Sequence, residues 1–159
     1  EMGANDDAEH AWLSSVKALF REAAQRRTPT LGICLGHQLA AVAFGGEVSP
    51  NPAGKQLGLL DVGWEPDAAA DPLLGAVATP RRALQWTDDV VVRLPESAVR
   101  LATAPGGEVQ AARYAATVWG VQWHPEVDET LVAGWLAFGT LPDFCKIRKG
   151  LAYVIARRA

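Results

Sequence analysis

The strongest constraint on what this 159-residue chain can fold into is a cysteine set between two glycines where an apolar run gives way to a helix-compatible segment. Thr30, Leu31, Gly32 and Ile33 read as a short buried strand, and Cys34, Leu35 and Gly36 follow without a gap. Residues 37–44 suit a helix, which Gly45 and Gly46 stop. Upstream, Trp12, Leu13, Val16, Leu19, Phe20, Ala23 and Ala24 recur at three- and four-residue steps, behind the candidate N-caps Asp6 and Asp7. That spacing predicts an amphipathic helix ending before Thr28 and Pro29. Helix, buried strand, glycine-marked turn and helix again is the rhythm of an α/β domain with a parallel sheet.

From Gly46 to Trp123 proline and glycine punctuate short β-rich runs, and residues 57–62, 83–86, 99–103, 109–114 and 117–123 read as strands. The stretch Asp67 to Pro72 reads as a surface connection, and there is no internal repeat. Residues 130–138 then read as a helix with Leu131, Val132, Trp135 and Leu136 on one side. Residues 144–159 carry five basic side chains and no acid, with Phe144, Ile147, Leu151 and Val154 on one helical face interrupted by Gly150. A basic amphipathic tail can bind membranes or partners; the expectation here is a terminal helix docked on its own domain. The length suits a single domain over residues 1–159.

Composition narrows the function. Fifteen Lys and Arg stand against eighteen Asp and Glu, a net charge of −3 that gives no general attraction to nucleic acid. No apolar stretch approaches the ~18 residues that span a bilayer. Cys34 and Cys145 do not make a secreted disulfide framework, and the first twenty residues lack the basic start and apolar run of a signal peptide, so the cytoplasm is the expected compartment.

The glycine-flanked cysteine is the thiol analogue of a nucleophile elbow. A thiol at a helix N-terminus meets the positive end of the helix dipole, which favours the reactive thiolate. The backbone N–H of Leu35 then points at the oxyanion formed when sulfur attacks a carbonyl. Lone cysteines are commonly small buried apolar residues; both glycines, the strand before and the helix after argue for the nucleophile. Three histidines could serve as base. His10 starts an exposed-looking helix. His37 lies on the first turn after Cys34, where the dipole disfavours an imidazolium, and reads as packing or substrate-site lining. His124 ends the run from Val118 to Trp123 and precedes Pro125, which holds it extended. Residues two apart in an extended segment face the same side, so Glu126 can orient His124. Cys34, His124 and Glu126 then form a triad of nucleophile, base and orienter.

Gly32-Ile33-Cys34-Leu35-Gly36-His37-Gln38, followed by Val121-Gln122-Trp123-His124-Pro125-Glu126, resembles the class I glutamine amidotransferases, and the two motifs stand in the family's order at a similar separation. The resemblance runs from about Met2 to Leu136, so residues 1–140 match the family and residues 141–159 form an unassigned basic helix. Gln56-Leu57-Gly58, Trp86 with Asp89, and Gln110 to Tyr114 look like the stand-alone, guanylate-synthase-like branch. The resemblance implies a flavodoxin-like doubly wound sheet with helices on both faces. It also implies a glutaminase that needs no cofactor or metal. Cys34 attacks the glutamine carboxamide, His124 relays the proton to departing ammonia, and water hydrolyses the γ-glutamyl thioester. Gly36, Gln38 and the Leu35 N–H hold the substrate, and a synthase domain or subunit receives the ammonia.

Two departures qualify this expectation. Relatives carry further N-terminal strands and a glycine-rich loop with a second oxyanion donor, of which Glu1-Met2-Gly3 looks like the tail end. Loss of such strands is expected to leave residues 30–33 on a sheet edge and to weaken turnover. Thr87 stands where many relatives have histidine, which bears on substrate contacts, and Trp123 replaces a commoner phenylalanine. Competing readings are a γ-glutamyl peptide hydrolase with the same triad, a degenerate binding or regulatory subunit, and a zinc enzyme using Cys34-x-x-His37 and His124-x-Glu126. The last lacks the later Cys-x-x-Cys of zinc deaminases.

Overall fold

The structure is a computed structural model and describes residues 2–127. The helix expected over 130–138 and the basic segment 141–159, with Cys145, lie outside the described residues. In chain order the elements are α1 (Trp12–Gln25), β1 (Thr30–Ile33), α2 (Leu35–Ala43), β2 (Glu47–Pro50), β3 (Gln56–Asp61) and β4 (Gly63–Trp64). Two short 3-10 helices, Pro66–Ala70 and Gly75–Val77, precede β5 (Arg82–Thr87), β6 (Asp89–Arg93), β7 (Val99–Thr103), β8 (Val109–Ala115) and β9 (Val118–Val121).

The chain is mixed α/β. A five-stranded sheet runs in the order β1-β9-β8-β7-β4, and two ribbons pair β2 with β6 and β3 with β5. Among the described residues only β1 and β9 are parallel, with Thr30 opposite Val118 and Ile33 opposite Val121; the other pairs are antiparallel. The parallel pairing expected of the domain is found at the β1–β9 ladder, within a sheet whose other described pairs are antiparallel. Hairpin-like connections through residues 99–121 can join only antiparallel neighbours, whereas β1 reaches its partner through a long crossover.

Strand alternation divides the core. Val118 on β9, with Ala112 and Tyr114 on β8, faces Leu13 and Phe20 of α1 and Leu39 to Ala41 of α2. Trp119 and Val121 face the opposite way, against Val62, Leu74, Ala68 and Leu101. Both α-helices of the described residues thus cover one face, and the 3-10 segments cover the other. The stretch from Asp67 to Pro72 is therefore no mere surface connection. Ala68 is buried, and the Asp71 carboxylate accepts from the N–H groups of Leu73 and Leu74, from Trp119 Nε1 and from Arg113 Nε. Burial pushes that carboxyl up, but the Leu74 and Leu73 donors, Trp119 and Arg113 together outweigh it and hold it below its ordinary range.

On α1, Leu13, Lys17 and Phe20 are buried, while Trp12 and Leu19 remain exposed. The expected acidic caps do not form, because the helix starts after Ala11 with no side-chain cap. Asp7 instead accepts from Ser14 Oγ at 2.6 Å and pairs with the Lys17 ammonium at 2.5 Å, which neutralises a nearly buried lysine.

Two glycines let α2 sit close on the sheet. Gly32 and Gly120 are paired across β1 and β9. A Cβ on Gly120 would stand 2.5 Å from His37 Nδ1, and one on Gly32 would collide with the Gly36 carbonyl. A methyl at either position pushes the first turn of α2, and Cys34 with it, off the sheet.

Candidate active site

Cys34 is the N-cap of α2, with φ 52° and ψ −108°. Only one other described non-glycine residue, Arg27, has a positive φ. A left-handed φ costs a Cβ-bearing residue of order 1–3 kcal/mol and persists only where its surroundings impose it. Here the imposing contacts are the Cys34 N–H, which donates to the Val121 carbonyl at 2.9 Å, and the Cys34 carbonyl, which accepts the Gln38 N–H at 3.2 Å. The side chain is a partly exposed thiol, outside any disulfide, at the positive end of α2. Leu35 lies on the helix's first turn, where N–H groups lack intrahelical acceptors. Gly36 has open space about its Cα, so the helix mouth stays uncrowded.

Cys34 opens onto a cleft of about 410 Å³ lined by Met2, Gly3, Asp6, Leu35, Gln38 and the segment from Trp86 to Asp89. The cleft is acidic. Burial pushes the Asp89 carboxyl up, and the charges of Asp6 and Asp88 push it further. Lys55 pairs with Asp88 at 2.8 Å.

His124 arrives by the strand next door. It follows β9, the parallel neighbour of β1, so both motifs leave the carboxyl ends of adjacent strands, where α/β sheets place their ligand sites. A third strand touches both motifs, since the Leu84 carbonyl accepts the His124 N–H at 3.0 Å and the Trp86 carbonyl lies 3.9 Å from Cys34 Sγ. Carbonyls two residues apart on a strand are separated by about 7 Å and share a direction. His124 Nδ1 is 2.6 Å from Glu126 Oε1. An ionised carboxylate can only accept, so Nδ1 carries the hydrogen and Nε2 is the basic nitrogen.

His37 points away from this chemistry. It is fully buried, with Nδ1 3.0 Å from the Tyr114 hydroxyl, and burial pushes its pKa down to about 4. It packs α2 on the sheet, one of its two expected roles. His10 is exposed. Among the described residues no three His, Cys, Asp or Glu side chains gather as a metal set.

Gln38 and Thr87 form the floor of the cleft. Gln38 Nε2 shares its two hydrogens among the Asp89 carbonyl at 2.9 Å, the Thr87 hydroxyl at 3.1 Å and Gln122 Oε1 at 3.2 Å, while the Thr87 hydroxyl donates to the Asp89 carbonyl at 2.6 Å. Gln122 is the residue that motif reading passes over. It is fully buried, and its Nε2 donates to Cys34 Sγ at 3.6 Å. Its one signal in the sequence is a polar side chain inside the apolar run from Val118 to Trp123.

Residues 5–137 match the family described as glutamine amidotransferase class-I. The chain is 39% identical over 118 residues to the glutamine-hydrolysing GMP synthase subunit of Natronomonas pharaonis, covering 74% of this chain and 62% of that one. It is 36% identical over 121 residues to the subunit of the same name from Ignicoccus hospitalis, covering 76% and 62%. Among solved structures it superposes on a glutamine amidotransferase from Thermotoga maritima with a TM-score of 0.84 at 28% identity, covering 96% of this chain and 66% of that one. The chain thus spans about three fifths of the length of these curated relatives.

Proposed function

Because the chain belongs to the class I glutamine amidotransferase family, we propose that it hydrolyses the side-chain amide of glutamine and releases ammonia for transfer to an acceptor. The observation that carries this reading is the positive-φ Cys34 at the α2 N-terminus beside a strand whose end presents the bonded His124–Glu126 pair. The Cys34 thiolate attacks the amide carbon, and the oxyanion gathers on the Leu35 N–H. His124, protonated at Nε2 by the thiol, gives that proton to the departing nitrogen as the C–N bond breaks and the γ-glutamyl thioester forms. Water then adds to the thioester with His124 Nε2 as base, glutamate leaves and the thiol is restored. Glu126 holds the imidazole tautomer through both steps.

The cleft fits the other end of the substrate. Asp89 and Asp6 offer negative charge to the α-ammonium group of glutamine, while Gln38 and Thr87 set the floor on which Asp89 stands. Gly36 leaves room at the helix mouth. The relatives named as glutamine-hydrolysing components of GMP synthase favour an ammonia-releasing enzyme over a γ-glutamyl peptide hydrolase or a binding-only protein. They also support a separate synthase chain as the recipient of the ammonia. A reaction that depends on a reduced thiol suits a reducing compartment, and we place the chain in the cytoplasm; no helix among the described residues is long and apolar enough to cross a membrane. The test is glutamate and ammonia release from glutamine by the chain, with Cys34→Ala as control. Equal release by both proteins rejects the assignment.

A further inference from the structure

Gln122 is buried without exposure, its amide nitrogen is 3.6 Å from the Cys34 sulfur, and its amide oxygen is 3.2 Å from Gln38 Nε2. Which end of a glutamine amide faces which neighbour must be settled by the surrounding donors and acceptors, and here one group settles it. The Asp89 backbone carbonyl has no hydrogen to give. The Gln38 amide that approaches it at 2.9 Å must therefore present nitrogen. That nitrogen cannot accept from a second amide nitrogen, so the Gln122 atom 3.2 Å from it is the oxygen, which shares the nitrogen's two hydrogens with the Asp89 carbonyl and the Thr87 hydroxyl. The Gln122 nitrogen is then left on the other side, towards sulfur. The Thr87 hydroxyl agrees with this polarity, since it donates to the same carbonyl at 2.6 Å and so offers Gln38 its lone pairs.

We propose that Gln122 is a directed N–H donor to the Cys34 sulfur, its polarity set by the Asp89 carbonyl through Gln38, and that it stabilises the thiolate over the thiol and fixes the direction of attack. A sulfur anion accepts a hydrogen bond far better than a neutral thiol, so a donor locked in place favours ionisation. The donor is uncharged, which matters beneath a helix: it supports negative charge on sulfur without placing a buried cation there. It also assigns Gln38 a second task, since the side chain that floors the cleft holds the amide that holds the nucleophile.

The proposal rests on Cys34 as the nucleophile, and its test uses alkylation instead of glutamine turnover so that the two can fail separately. The rate of iodoacetamide modification at Cys34, followed by peptide mapping across pH 5–10, is compared in the full chain and in Gln122→Met and Gln122→Glu. Loss of one hydrogen bond to a charged group predicts about tenfold slower alkylation near neutral pH, a midpoint moved to higher pH, and an unchanged plateau in alkali where every thiol is ionised. Gln122→Glu keeps the shape and the acceptor for Gln38; once its carboxyl ionises it offers sulfur no donor and sets negative charge against it, so the midpoint moves to higher pH even if Gln122→Met packs poorly. Profiles of both variants that superimpose on wild type overturn the role of Gln122 while leaving Cys34 as nucleophile. A wild-type profile no more reactive than a simple alkyl thiol overturns both.

Discussion

The Cys34 N–H donates to the Val121 carbonyl at 2.9 Å, which fastens the residue bearing the thiol to the strand that ends three residues before His124. The same ladder that pairs Ile33 with Val121 therefore positions both motifs. Motif spacing along the chain becomes spatial proximity through one parallel strand pair.

The proposed mechanism predicts unequal roles for His124 and Glu126. On the proposed mechanism His124→Ala removes the base of both acyl steps, and the variant is expected to lower kcat by about 10²–10⁴-fold while the fold persists. Glu126→Ala leaves the imidazole in place without its 2.6 Å tether, and about a tenfold loss is expected. Steady-state rates of the two variants, with circular dichroism to verify folding, test the ranking. A His124→Ala variant as active as wild type rejects His124 as the base.

Labelling offers a second test. An electrophilic glutamine analogue should modify Cys34 and not Cys145, because Cys34 combines the strained N-cap, the helix dipole and the Gln122 donor. Peptide mapping identifies the adduct, and modification at Cys145 with Cys34 untouched contradicts the assignment.

How much is legible in the sequence follows from what each signal encodes. The glycine-flanked elbow, α1, α2 and the strand over residues 99–103 are readable because apolar periodicity and glycine positions act locally. The strands β2 and β6 are not, because they pair with each other as a ribbon and carry charge at their ends, as in Glu47 opposite Arg93. The mixed character of the sheet also escapes, since strand direction is set by connections and not by composition. At the site, the proposed nucleophile, base and orienter sit in motifs, whereas Gln122 lies in a buried amide network whose meaning depends on Gln38 and Asp89, both distant in sequence. Trp12 and Leu19 show the opposite limit: they fit the helical repeat by type, yet they lie outside the arc that meets the sheet.

His37 predicts a pH dependence of stability. Burial holds its pKa at about 4 in the folded chain, against 6.5 for an exposed histidine. Between those values the unfolded chain binds more protons than the folded one, so stability falls as pH drops from 6.5 towards 4. The full difference is worth about 3 kcal/mol. Urea denaturation across pH 4–7 should show this slope in wild type. In His37→Phe the slope should flatten, with an offset at all pH values from the lost Tyr114 partner. A slope unchanged in His37→Phe assigns the acid sensitivity elsewhere.

Asp89 predicts opposite effects on stability and on binding. Burial, then the charges of Asp6 and Asp88, raise its carboxyl above the ordinary value of 3.8, so ionised Asp89 is a burden on the folded chain. In the window between the ordinary and the raised value the folded state binds more protons than the unfolded one, and stability falls as pH rises through it. Asp89→Asn removes the charge but keeps the backbone carbonyl that anchors Gln38 and Thr87. The variant should therefore melt at a higher temperature than wild type at neutral pH. If the carboxylate receives the ammonium group of glutamine, the same variant loses a charge-assisted bond present in ground state and transition state alike. KM should then rise about tenfold with kcat nearly unchanged. Thermal melts and glutamine titrations of one variant separate the two effects. A KM that stays at the wild-type value while the melting temperature rises leaves Asp89 as a floor residue whose charge costs stability and moves ammonium recognition to Asp6.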